Sequence, residues 1–174
     1  MIFNKKIFVI AAHEAFPSGI GQDLKKYFLL NKVNKLLFIS HPLTYQKKYY
    51  DKNSSRFEYY FNGKLLRLKT AFYWVLPEFL LYIKDFLYTQ FWCFKLKCKI
   101  DVFWGFDPLN AFSGLALKKI GLVRRVVYYS LDYFPVRFKN RILNAIYHIL
   151  DKICVNYCDE TWNVSPTMVD AREK

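Results

Sequence analysis

From Asp101 onward the chain alternates short apolar runs with helix-period segments, and no other feature restricts the fold as much. Residues 101 to 105 (DVFWG), 125 to 130 (RVVYYS) and 160 to 164 (ETWNV) are strand-like, with helical patterns at 108 to 120 and 138 to 157 between them. Gly121 stops the first of these helices. Ser165-Pro166 opens another, the serine accepting a backbone hydrogen bond and the proline standing where no N–H is needed. Strands and helices in strict alternation imply a mostly parallel sheet covered by crossover helices.

The first hundred residues begin in the same way. Residues 6 to 12 (KIFVIAA) form a strand that stops at His13, a loop runs to Gly21, and a helical pattern covers Gln22 to Asn31. A second strand, residues 35 to 40 (KLLFIS), ends at His41-Pro42, where proline blocks continuation. Residues 56 to 61 and 64 to 69 flank Asn62-Gly63, a pair that suits a tight hairpin because both turn positions need positive φ. From Pro77 a long apolar helix is expected to about Lys99. The prediction is an α/β, Rossmann-like three-layer sandwich occupying residues 1–174 as one domain, a length that buries about 70% of its unfolded surface.

Hydrophobic residues make up 53% of the chain and charged residues 24%, which excludes disordered, collagen-like and disulfide-scaffold classes. The net charge of +13 is uneven: residues 1 to 100 hold 17 Lys/Arg against 6 Asp/Glu, and residues 101 to 174 hold 10 against 8. An anionic partner is therefore expected for the first part, a phosphate-rich lipid surface or a nucleic acid. No recognised nucleic-acid motif accompanies the charge. The stretch Ala71 to Phe94 is broken by Glu78, Lys84 and Asp85 and does not read as a membrane span. Trp74, Tyr82, Tyr88 and Trp92 beside Lys84, Lys95, Lys97 and Lys99 suit a helix lying in the headgroup region, though a buried core helix with a basic end is the reading the segment favours. Four cysteines without a leader-like pattern read as reduced thiols in the cytoplasm.

In an open parallel sheet ligands bind beyond the carboxyl ends of the strands, which singles out His13 to Gly21, His41, Asp107 and Leu131-Asp132-Tyr133. Gly19-Ile20-Gly21 before a helix offers backbone N–H groups to a phosphate, and equally reads as a plain glycine turn. It is a poor dinucleotide fingerprint: the third glycine falls at Leu24, and no acidic residue follows the second strand. Asp132 fits a general base, a sugar-hydroxyl ligand or a loop cap. Asp107 before Pro108 fits the N-cap of the next helix. His13 and His41 fit acceptor contacts or solvated loop residues. Cys154 and Cys158 share a helix face, but no second Cys/His pair accompanies them, so buried thiols rather than zinc ligands are expected and no metal is assigned.

Four segments together resemble the N-terminal domain of GT-B fold glycosyltransferases of the family 4 type: Asp101-Val-Phe-Trp-Gly-Phe-Asp107, Gly114-Leu-Ala-Leu-Lys-Lys-Ile-Gly121, Val126-Val-Tyr-Tyr-Ser-Leu-Asp132 and Cys158-Asp-Glu-Thr-Trp-Asn-Val-Ser165. Pro17-Ser18-Gly19-Ile20-Gly21 is similar to that family's glycine loop after the first strand. The resemblance implies transfer of a sugar from a nucleotide-sugar donor, a substrate rather than a cofactor, to a lipid-linked or polysaccharide acceptor at the inner membrane face. It implies Asp132 as catalytic residue and His13, Gly19, Ile20, Gly21, Asp107 and Tyr133 as donor-phosphate or acceptor contacts. Where that family often carries a histidine after the third of these strands, this chain has Ser130-Leu131-Asp132. The five glutamates include no pair eight apart, the family's donor-site signature, and the chain stops a few residues into its last helix. The expectation is a single GT-B half, inactive without a donor-binding domain or subunit. The competing expectation is a non-enzymatic basic α/β module that binds anionic membrane or nucleic acid.

Overall fold

A computed structural model describes residues 6–14, 18–42, 54–71 and 76–173. They form seven strands and five helices. The strands are β1 (Ile7–Glu14), β2 (Lys35–Pro42), β3 (Arg56–Phe61), β4 (Lys64–Thr70), β5 (Ile100–Phe106), β6 (Val123–Ser130) and β7 (Glu160–Asn163). The helices are α1 (Ile20–Leu30), α2 (Glu78–Lys95), α3 (Pro108–Lys119), α4 (Arg141–Tyr157) and α5 (Thr167–Glu173). One sheet runs β4-β3-β2-β1-β5-β6-β7, with β2, β1, β5, β6 and β7 parallel and the β3–β4 hairpin antiparallel at one end.

The central strands are apolar along nearly their whole length because both sheet faces are covered. On one face Phe28 of α1 packs among Phe8, Ile10, Phe38, Trp104 and Phe106. On the other, Cys93 of α2 and Leu117 of α3 meet Val9, Ala11, Leu37, Ile39, Phe103 and Val126, and Cys154 of α4 meets Tyr128 and Ala111. Each fully buried large side chain here contributes about 1.5–3 kcal/mol over its exposed state. The result is a Rossmann-like α/β sandwich.

Several element ends move from their expected places. β1 and β2 continue through His13, Glu14, His41 and Pro42, so both histidines stand inside strands rather than in loops. Pro42 is tolerated because it is the last paired residue. Pro77 is the N-cap of α2 and not its first residue, and that helix stops at Lys95, four residues short of expectation. Asn62 (φ 48°) and Gly63 (φ 78°) form the expected tight turn. Trp92 stacks on Phe57 at 4.1 Å and Tyr82 lies 5.9 Å from the His13 ring, both half-buried against the sheet side of α2. Trp74 and Pro17 lie outside the described residues.

Candidate functional site

The chain leaves β1 for β2 on one side and later returns past β1 to β5 on the other, so the sheet has its topological switch between β1 and β5. The side chains at those two carboxyl ends converge. Asp107, the residue after β5, has φ 82°, a conformation that costs a non-glycine residue about 1–3 kcal/mol. Its carboxylate accepts the Asn110 N–H at 2.9 Å, capping α3, and lies 2.7 Å from His13 Nδ1. From the opposite direction α2 turns Asp85, Thr89 and Cys93, spaced by four residues, toward the sheet. Asp85 Oδ2 lies 3.2 Å from His13 Nε2, while Oδ1 accepts the Ser55 hydroxyl and the Lys84 ammonium, each at 3.0 Å.

His41, paired with His13 in the strand register, completes the cluster. Its Nδ1 is 2.9 Å from Ser55 Oγ and its Nε2 2.9 Å from Thr89 Oγ1. Because Ser55 donates to Asp85, its oxygen accepts from His41 Nδ1, and Nε2 accepts from Thr89. That pattern holds a neutral imidazole, and burial likewise pushes the His41 pKa down. His13 behaves in the opposite way. Burial alone would lower its pKa, but the Asp107 and Asp85 carboxylates outweigh it and raise the value to about 10. Burial would push the Asp85 carboxyl up, and the imidazoles on it more than reverse that, leaving it well below the usual carboxylate range. Two carboxylates thus face one imidazolium and one ammonium in a balanced buried cluster.

Beside this cluster a cleft of about 290 Å³ opens, lined by Ala12, His13, Glu14, Ser18, Gly19, Ile20, Gly21, Phe106 and Leu131. The expected residues His13, Gly19, Ile20 and Gly21 therefore share one cavity. Glu14 fell within the segment singled out after β1 but was given no role of its own, yet it shapes the glycine loop. Its Oε1 accepts the Gln22 side-chain amide, and its buried Oε2 has no hydrogen-bond partner among the described residues. A Cβ on Gly19 or Gly21 would stand 2.9 or 2.8 Å from that oxygen, so the two glycines make room for the carboxyl. Burial raises the Glu14 pKa to about 7.

Asp132 and Tyr133 leave the same sheet edge after β6 but do not line the cleft. Asp132 is half-exposed and paired with Arg137 at 2.8 Å. Tyr133 lies over Arg172, 4.9 Å from the guanidinium. Arg172 in turn joins α5 to the sheet and α4 through Asp151 (2.8 Å), Asn163 (2.8 Å) and Ser130 (2.7 Å). The Cys154 thiol is buried and donates to the Pro108 carbonyl. Among the described residues no group of three or more His, Cys, Asp or Glu is placed to hold a metal ion.

Comparison with protein-family models, with curated proteins and with solved structures finds no match. The site therefore stands on its geometry. Asp85, Ser55 and Thr89 escaped the sequence reading because their partners come from distant segments: Asp85 is 72 residues from His13, and Thr89 is 48 from His41. A usable signal was present in α2, where Asp85 and Thr89 put two polar residues four apart on one stripe of an otherwise apolar helix.

Proposed function

We propose that this chain is the acceptor-side half of a GT-B glycosyltransferase similar to the family 4 type. The observation that carries the reading is the convergence of His13, Asp107 and Asp85 beside an open cleft at the sheet's switch point, where ligands of parallel α/β sheets bind. Glu14 favours the acceptor over the donor phosphate as the ligand of this cleft. Its carboxyl already occupies the space beneath the first turn of α1, where the helix N-terminus would otherwise attract an anion. Above its pKa of about 7 it repels phosphate and leaves hydroxyl groups as the preferred contacts.

In this reading His13 is not the base, because its proton is held to about pH 10. With both N–H groups committed to Asp107 and Asp85, it is a fixed positive charge on the cleft wall that attracts acceptor oxygens. Asp132, at the β6 exit of the same sheet edge and paired with Arg137, is the proton acceptor by resemblance. The acceptor oxygen bonds to the sugar's anomeric carbon, its proton passes to Asp132, and the nucleoside diphosphate leaves with the bonding pair. A second domain or subunit holds the donor's base and ribose and stabilises the leaving group.

Calorimetry of the chain with uridine and guanosine diphosphate hexoses tests the half-site. A few hydrogen bonds from one wall, about 1.5–3 kcal/mol each where charge-assisted, do not offset the cost of immobilising a nucleotide sugar, so the dissociation constant is expected to be millimolar or weaker. Micromolar binding to this chain alone would overturn the reading.

A further inference from the structure

The buried and exposed faces of α2 divide sharply. Asp85, Thr89 and Cys93 face the sheet, while Phe79, Ile83, Leu87, Phe91 and Phe94 point away from it, each between 48% and 57% exposed. Spaced by three or four residues, these five form one apolar ridge about 22 Å long. A continuous ridge of large apolar side chains on a charged protein marks an interaction surface rather than chance exposure.

A basic rim borders the ridge at its carboxyl end and on the hairpin side. Lys95, Lys97 and Lys99 are exposed at the carboxyl end of the helix. Along its flank, Arg67 and Lys69 of β4 pair with Tyr59 and Phe57, which puts them on the sheet face where Phe57 stacks on Trp92 of α2. Both are exposed. The helix itself has two acids: Glu78 in its first turn, and Asp85, which is buried.

We propose that this ridge and its rim dock on an anionic lipid bilayer, with α2 lying in the plane of the headgroups. The inference rests on exposure and charge alone and does not depend on the sugar-transfer reading. The charge pattern selects the occupant. A second copy of this chain, carrying +13, would bring an identical cationic rim against the first. A nucleic acid would satisfy the lysines but leave Ile83 and Leu87 against water, because aliphatic side chains offer no ring face to a base. An anionic bilayer satisfies both, since acyl chains receive the ridge and lipid phosphates receive the rim. None of the described helices is long and apolar enough to cross a membrane, which fits a helix that lies on the surface.

The test is co-sedimentation with vesicles of phosphatidylcholine alone or with one third phosphatidylglycerol, over a salt series, using the wild-type chain and two variants. Replacing Lys95, Lys97 and Lys99 by Gln is expected to weaken partitioning to the anionic vesicles on the order of a hundredfold at low salt, about fivefold per lysine. The wild-type affinity should fall toward that of the variant as salt rises. Replacing Phe79, Leu87 and Phe91 by Ser is expected to abolish binding at every salt concentration. These residues are half-exposed, so the circular dichroism spectrum and melting curve should remain those of the wild type. Wild-type partitioning by the serine variant overturns the proposal. So does a lipid-free wild-type dimer, seen by sedimentation velocity, that the serine substitutions convert to monomer.

Discussion

Glu14 shows how one buried carboxyl dictates the residues around it. Its side chain fills the space under Gly19 and Gly21, and its raised pKa ties stability to pH. A carboxyl whose folded value of about 7 exceeds its ordinary 4.5 contributes stability that is complete below pH 4.5 and lost as pH rises through 7. The loss is about 3 kcal/mol. Glu14→Gln is expected to abolish this fall and to be more stable than the wild type above pH 7 in urea unfolding across that range; parallel pH profiles for the two proteins would refute it. His13 titrates higher. Its folded value of about 10 lies above 6.5, so its contribution is complete below pH 6.5 and lost as pH rises through 10. Nitrogen NMR of the imidazoles is expected to show His13 doubly protonated at pH 8 and His41 neutral. Asp107→Asn, which keeps an oxygen for the α3 cap but removes the charge, should lower the His13 value by one unit or more, on the order of 1.4 kcal/mol. An unchanged His13 titration would separate it from Asp107.

Among the elements, α2 is asked to satisfy two surroundings at once. Its inner stripe supplies Asp85 and Thr89 to the cluster, and its outer stripe is apolar and exposed. This double use explains why the helix was visible in sequence while its orientation was not: an apolar background hides which polar residue faces inward. The β3–β4 hairpin was legible because Asn62-Gly63 is local chemistry, needing no knowledge of distant partners. The ends of β1 and β2 were not, since His13, Glu14 and His41 read as loop residues until Asp85, Asp107 and Gln22 supply their partners. The short helix α5 depends on Arg172, whose guanidinium satisfies the buried Asp151 carboxylate. Arg172→Ala leaves that carboxylate with the Tyr128 hydroxyl as its remaining donor among the described residues and is expected to cost on the order of 3 kcal/mol, measured by urea unfolding. A change below the error of the fit would mean that α5 is not tied to the sheet by this pair.

At the scale of the whole molecule, strand order turns a set of separate residues into one site. The alternation of strands and helices was enough to foresee a mostly parallel sheet, and the parallel rule was enough to expect the glycine loop and Asp107 at one edge. Placing β5 directly beside β1 required the structure, and that adjacency is what sets Asp107 against His13. The glycosyltransferase reading requires the cleft at this adjacency to take a neutral, hydroxyl-rich ligand and to refuse phosphate. Amide chemical-shift mapping of the nitrogen-labelled chain, above the Glu14 pKa of about 7, tests that requirement directly. A panel of methyl hexosides is expected to shift the signals of His13, Gly19, Gly21 and Leu131, and inorganic phosphate is expected to leave them in place. Shifts of those signals by phosphate but by no hexoside would contradict it.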